Sequence, residues 1–251
     1  MTAAPANTLA RSLSALARLL DYPDAELQAH ADELAEAVAA LDVLPADEAD
    51  SVRAFVAELG SMKLLDAQAE WIEIFDRGRK VSLHVFEHVY GESRDRGPAM
   101  IELIHAYQQH GFDPVGGELP DFLPVLLEFC SQLPEADARA WLVEAGQVLQ
   151  TIHVRLAERE TGYATAFNVL LRLLGIEPNP ARLTDMAGNE QRDDSKAAID
   201  RVWDEAPVTF GPSEAQTADG ATRQQPAEPE PGKSASSHNS AETVSESARG
   251  G

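Results

Sequence analysis

From residue 8 to residue 174 the apolar residues recur at helical spacing, and no stretch of useful length alternates as a strand does. That pattern admits few folds: helices that each bury one stripe against the others. Leu9, Leu13, Leu16 and Leu20 form a first stripe, with Thr8 as N-cap. Leu27, Ala31, Leu34, Val38 and Leu41 form a second, and Val52, Phe55, Val56 and Leu59 a third that stops at Gly60. Leu65, Ala69, Ile72 and Phe75 predict the buried face of a fourth helix. After Gly97-Pro98 come Met100, Leu103, Ile104 and Tyr107; further on, Trp141 to Leu156 and Tyr163 to Leu174 each carry a stripe, the last closed by Gly175 and Pro178. In GGELPDFLPVLLEF, an N-cap at Asp121 places Pro124 at the third helical position, where its missing N–H costs nothing. The expectation is an all-α fold, a single helical domain of about eight or nine helices over residues 8–184.

Residues 185–251 differ in kind. Their stretch AEPEPGKSASSHNSAETVSESARGG has almost no large apolar groups to offset ordering entropy, which predicts an acidic, largely disordered tail. One island at 197–210 keeps Ile199, Val202, Trp203, Val208 and Phe210, and reads as a docking segment for this domain or for a partner. The formal charge is −22; residues 190–251 hold 12 acids and 6 bases, which leaves 30 acids and 14 bases, a net of −16, in the first 189. Nucleic acid is excluded by that balance, and basic ligands are favoured. No apolar run reaches the ~20 residues needed to cross a bilayer, and the N-terminus lacks the build of a signal peptide. A lone cysteine, Cys130, lies in an apolar run as a buried thiol. A cytoplasmic protein without direct membrane insertion is expected.

Within SLHVFEHVYGES, His84, Glu87 and His88 form H-x-x-E-H, a pattern that serves zinc-dependent hydrolases. Such a site needs a third ligand and a strand to align substrate, and no such strand is legible. The alternative places both histidines on a short helix that covers the core, with Leu83, Phe86 and Val89 pointing inward. No phosphate loop, dinucleotide fingerprint, CxxC pair or nucleophile elbow is present. The residues by themselves lead to an acidic helical interaction protein, with the hydrolase reading still open.

Two runs add to this. SLHVFEHVYGESRDRGPAM followed by ELPDFLPVLLEF, with LLDYPD and WIEIFDRGRK before them and ETGYATAFNVLL and WDEAPVTF after, resembles the nitrate reductase molybdenum cofactor assembly chaperones, the NarJ family, within the wider TorD/DmsD-type group of redox-enzyme maturation chaperones. The resemblance spans about residues 9–210. It implies an all-α, non-enzymatic cytoplasmic chaperone, with no cofactor of its own, that serves nitrate assimilation. Its partner would be the immature catalytic (alpha) subunit of respiratory nitrate reductase, held through a basic N-terminal segment until molybdenum cofactor insertion, with the cofactor delivery machinery as a further partner. Carried over by motif, the partner-binding residues are Leu83, His84, Phe86, Glu87, His88, Arg94, Asp95 and Arg96 in the first run. In the second they are Glu118, Leu119, Pro120, Asp121, Leu123 and Pro124.

Overall fold

The computed structural model describes residues 8–114 and 117–177, and within them ten α-helices account for nearly all regular structure. In order they are α1 (Thr8–Leu20), α2 (Ala25–Ala29), α3 (Ala31–Ala39), α4 (Ala46–Ser61), α5 (Leu64–Phe75), α6 (Val85–Tyr90), α7 (Arg96–Gln109), α8 (Leu123–Gln132), α9 (Glu135–Glu158) and α10 (Tyr163–Leu173). A 3-10 turn, Arg79–Val81, links α5 to α6. The tail at 185–251, its docking segment at 197–210 and Pro178 lie outside the described residues.

Helix α1 is central. Its predicted stripe is buried, and so are Ser12, Ala15, Ala17 and Leu19, because α8 packs on one side and α3 on another. A helix buried on more than one side must satisfy its polar groups internally, and the Ser12 hydroxyl donates to the Ala37 carbonyl of α3 at 2.5 Å. Helices α9 and α10 pair with each other, α9 against α8 and α10 against α4. A carboxylate fixes the last of these contacts: Glu48 in the first turn of α4 accepts from Arg172 at 2.6 and 3.1 Å and from Asn168 at 2.8 Å.

Over the first five helices the sequence pattern and the structure part in three places. One long second helix was expected, but the chain breaks at His30 into α2 and α3, which brings the α-helix count to ten among the described residues. Asp24 caps α2 through the Leu27 N–H at 2.8 Å, and Gln28 turns away to donate to the Leu59 and Met62 carbonyls at the end of α4, 3.0 Å each. Thr8 is the first helical residue of α1 rather than its cap. The third difference is the largest. Leu65, Ala69 and Ile72, predicted to be buried, face solvent, while α5 buries Ala67, Ile74 and Phe75. Two hydrogen bonds set that rotation: Trp71 Nε1 to the Leu20 carbonyl at 3.0 Å and Gln68 Nε2 to the Pro23 carbonyl at 2.9 Å.

At the start of α10, Gly162 has an ordinary φ of −57°, so its lack of a side chain serves packing. A methyl group there would run into the Phe55 ring. Gly162→Ala is expected to lower stability by about 1–3 kcal/mol through overpacking, with Phe55→Leu in the same chain recovering part of it. Denaturant unfolding checks both, and an unchanged midpoint in Gly162→Ala would contradict this packing.

Candidate functional site

The two runs that stood out in the sequence, 37 residues apart at His84 and Asp121, meet in space. Ser82 to His84 leaves the 3-10 turn extended, and Phe122 is extended as well. They form an antiparallel bridge, His84 opposite Phe122, closed by Leu123 N–H to the Leu83 carbonyl at 2.8 Å and Val85 N–H to the Asp121 carbonyl at 2.9 Å. Backbone that is neither helix nor sheet must find partners when buried; here each run satisfies the other. Tyr107 of α7 donates its hydroxyl to the Pro120 carbonyl at 2.8 Å, which holds the turn before the bridge.

Asp121 sits at the centre of this junction, 1% exposed. It is not the N-cap of α8; Phe122 takes that place and Pro124 falls at the second helical position, still within the turn whose N–H groups lack helical partners. The carboxylate reaches instead across to the other run. Oδ1 accepts from His84 Nδ1, and Oδ2 accepts from the Phe86 N–H and from Arg96 Nη2, all at 3.2 Å. Arg96 also donates to Glu87 Oε1 at 3.1 Å, while its Nε is buried with no acceptor among the described residues. A buried carboxylate is tolerable only when charged and polar partners surround it, and Asp121 draws all three from residues 84–96.

These bonds also fix the histidines. The Asp121 hydrogen bond raises the pKa of His84 above its ordinary value, against the opposing effect of burial. Burial lowers that of His88, whose Nε2 donates to the Ser82 carbonyl at 2.8 Å. A ring nitrogen that carries its proton toward a carbonyl has no lone pair to give a metal. Among the described residues no three His, Cys, Asp or Glu side chains gather as a metal site. The Cys130 thiol is buried and pushed up to about 12.

The structure sorts the motif residues by depth. Leu83, Pro120, Asp121, Leu123 and Pro124 are buried. His84, Phe86, Glu87, His88 and Arg96 are half-buried, and Arg94, Asp95, Glu118 and Leu119 are exposed. Val89, expected to point inward, is 59% exposed, because the six-residue α6 buries Val85 in its place. Asp95 is engaged locally, accepting from the Ser93 hydroxyl at 3.0 Å.

Beside the junction opens a cleft of about 420 Å³, walled by His84, Glu87 and Ser82 on one side and by Trp71, Phe75, Asp76 and the turn through Arg79 on the other. A second cleft of about 250 Å³ takes in Glu118, Pro124, Val125 and Glu128 with Arg18 and Asp21 of the α1 end. Phe122 lines both. It stands between Asp121 and Leu123 in the second run and was not among the residues carried over by motif; its signal was simply an aromatic side chain there. Trp71, Phe75 and Asp76 belong to WIEIFDRGRK, which also fits the family's order, but they were not carried over as binding residues because they lie at the end of α5, ahead of the first motif. From α9, Arg155 and Arg159 donate to the Lys80 and Ile74 carbonyls at 2.7 and 3.2 Å and so brace the far wall.

With that geometry in view, the family model described as nitrate reductase delta subunit matches residues 20–168, a span that contains both runs and the cleft. The chain belongs to the nitrate reductase delta subunit family. Among its relatives, the "Nitrate reductase molybdenum cofactor assembly chaperone NarJ" of Escherichia coli (strain K12) is 44% identical over 195 residues, 78% of this chain and 83% of that protein. The "Probable nitrate reductase molybdenum cofactor assembly chaperone NarW" of the same strain is 40% identical over 198 residues, covering 79% and 83%. The "Probable nitrate reductase molybdenum cofactor assembly chaperone NarJ" of Bacillus subtilis (strain 168) is 32% identical over 171 residues, covering 67% and 91%. All-α architecture is thus the form in which this member of the family presents its clefts.

The two histidines respond to pH in opposite directions. A raised His84 pKa contributes stability that is complete below about 6.5, the unfolded value, and is lost as pH rises through the folded value. A lowered His88 pKa costs stability as pH falls below about 6.5. Whole-protein stability therefore mutes both, and the sites must be read singly. His84→Ala is expected to cost more stability at pH 5.5 than at pH 8.5. Imidazole titration by NMR should show the His84 pKa falling back toward the ordinary range in Asp121→Asn. An unchanged His84 titration in that variant would contradict the geometry.

Proposed function

We propose that this protein is an assembly chaperone, not an enzyme. It binds the immature catalytic subunit of respiratory nitrate reductase in the cytoplasm and holds it ready for molybdenum cofactor insertion. The observation that carries this reading is the joining of the two family runs along one open cleft, in a chain 44% identical over 78% of its length to an assembly chaperone. A hydrolase reading has no support from the same residues, since among the described residues no third His, Cys, Asp or Glu side chain joins His84 and His88 in a metal-binding group.

In this reading the buried motif residues Leu83, Pro120, Asp121, Leu123 and Pro124 shape the surface. His84, Phe86, Glu87, His88, Arg94, Asp95, Arg96, Glu118 and Leu119 meet the partner. The partner segment is the basic N-terminal stretch of the catalytic subunit, and the delivery machinery for the cofactor meets the same complex. Asp121 lies within the fold, so Glu87, Asp95 and Glu118 are the motif acids left to attract a cation, Glu87 already sharing Arg96 and Asp95 the Ser93 hydroxyl. Exposed charges of this kind raise association rate more than affinity. Apolar groups in desolvated positions supply the affinity, about 2 kcal/mol or more for a strong anchor; Phe86 and Leu119 are placed for that role.

Deletion of the gene in its own host is expected to leave the reductase subunits present but poor in molybdenum cofactor, and complementation should restore the cofactor. Glu118→Lys with Leu119→Ser, both exposed, should complement poorly while keeping the circular dichroism and melting temperature of the parent. Molybdenum content of the purified reductase reads the outcome, and full content in the deletion strain would refute the chaperone assignment.

A further inference from the structure

The outer face of α5 carries an apolar stripe that none of the described residues covers. Leu65 is 77% exposed and Ile72 38%, with Ala69 also exposed between them. Their spacing of four and three residues puts them in one row. Tyr22, itself 40% exposed, stands beside Trp71 with ring centroids 5.4 Å apart, edge to face. By helical geometry Asp66, Glu70 and Glu73 follow one flank of the row. Glu73 is held by Arg77 at 2.6 Å, and the Glu70 carboxyl is pushed up by desolvation and then by the neighbouring charge of Glu58 on α4. At its C-terminal end the row leads to Asp76, and Asp76, Phe75 and Trp71 form the wall of the 420 Å³ cleft.

We propose that the α5 outer face and the cleft are one continuous docking surface for a basic amphipathic helix. The ligand helix sets its apolar side chains on Leu65, Ala69 and Ile72, its Lys and Arg residues along Asp66, Glu70 and Asp76, and its end in the cleft. That a client of the chaperone supplies this helix rests on the reading above; the surface itself rests on α5. Charge selects the occupant. The island at 197–210 of this chain carries Asp200, Asp204 and Glu205 against a single Arg201, so it meets like charge along this flank. A second copy would set the acidic flank of α5 against itself. A basic helix meets opposite charge and covers the row, the helix-in-groove mode of recognition.

The test uses the full chain and a synthetic peptide of about 18 residues, five helical turns, with Leu at i, i+3, i+4 and i+7 and Lys on the flanks; a second peptide has Glu for each Lys. Only the Lys peptide should bind, shifting the amide resonances of α5 and of the cleft wall together. Leu65→Ser with Ile72→Ser should weaken it at least tenfold with the melting temperature unchanged. Asp66→Lys with Glu70→Lys should weaken it too and flatten its salt dependence. Wild-type affinity in the Leu65/Ile72 variant, or shifts confined to residues 82–96 and 118–124, would overturn the proposal. So would a dimer of the free protein that the Leu65/Ile72 variant dissociates. Should gene deletion leave the reductase fully loaded, the client assignment falls while the peptide result still decides the surface. If maturation needs the protein yet the Leu65/Ile72 variant supports it and binds peptide normally, the α5 proposal alone fails.

Discussion

One buried carboxylate governs the junction between the two family runs. Asp121 sits where water cannot solvate it and takes its hydrogen bonds from His84, the Phe86 backbone and Arg96, so the loop before α8 cannot settle unless residues 84–96 settle with it. Pairs of this kind add little net stability compared with apolar packing, but breaking one leaves an uncompensated charge, at about 3–5 kcal/mol. The consequence is specificity of arrangement. Two segments remote in sequence are obliged to share one geometry, and the cleft between α5 and α6 inherits its shape from that obligation.

The remaining helices serve as the frame for this junction. Helix α1, buried on more than one side, packs along α8 and so sets where the second run begins. Helix α9 reaches across through Arg155 and Arg159 to carbonyls at Lys80 and Ile74, fixing the turn from which the first run departs. The Tyr107 hydroxyl on Pro120 brings α7 into the same contact. A surface held from this many directions is suited to recognising a flexible partner, because the ordering cost falls on the ligand.

Much of this architecture was legible in the sequence. Stripes such as Leu9-Leu13-Leu16-Leu20 and Tyr163-Phe167-Leu170 gave both the helices and their inward faces, since burial on one side leaves the 3.6-residue period intact. Helix α5 shows where that logic fails. Its apolar residues occupy two faces, and periodicity alone cannot say which is buried; the hydrogen bonds of Trp71 and Gln68 to the Leu20 and Pro23 carbonyls decide it. The break at His30 was hidden because the stripe continues through it. Asp121 read as a helix cap, the local use of an aspartate before a helix, whereas its role depends on a segment 37 residues away. The family runs marked two segments that the fold brings together, and only the fold separates their buried residues from those that face outward.

Asp121 makes the two runs one cooperative unit. Amide hydrogen exchange in the full chain, wild type against Asp121→Asn, measures this at single residues. Protection at the Val85 and Phe86 amides in one run and at the Leu123 amide in the other is expected to fall together in the variant, by a common factor, while α1 and α10 keep theirs. Protection unchanged in both runs, or lost in one and retained in the other, would contradict it.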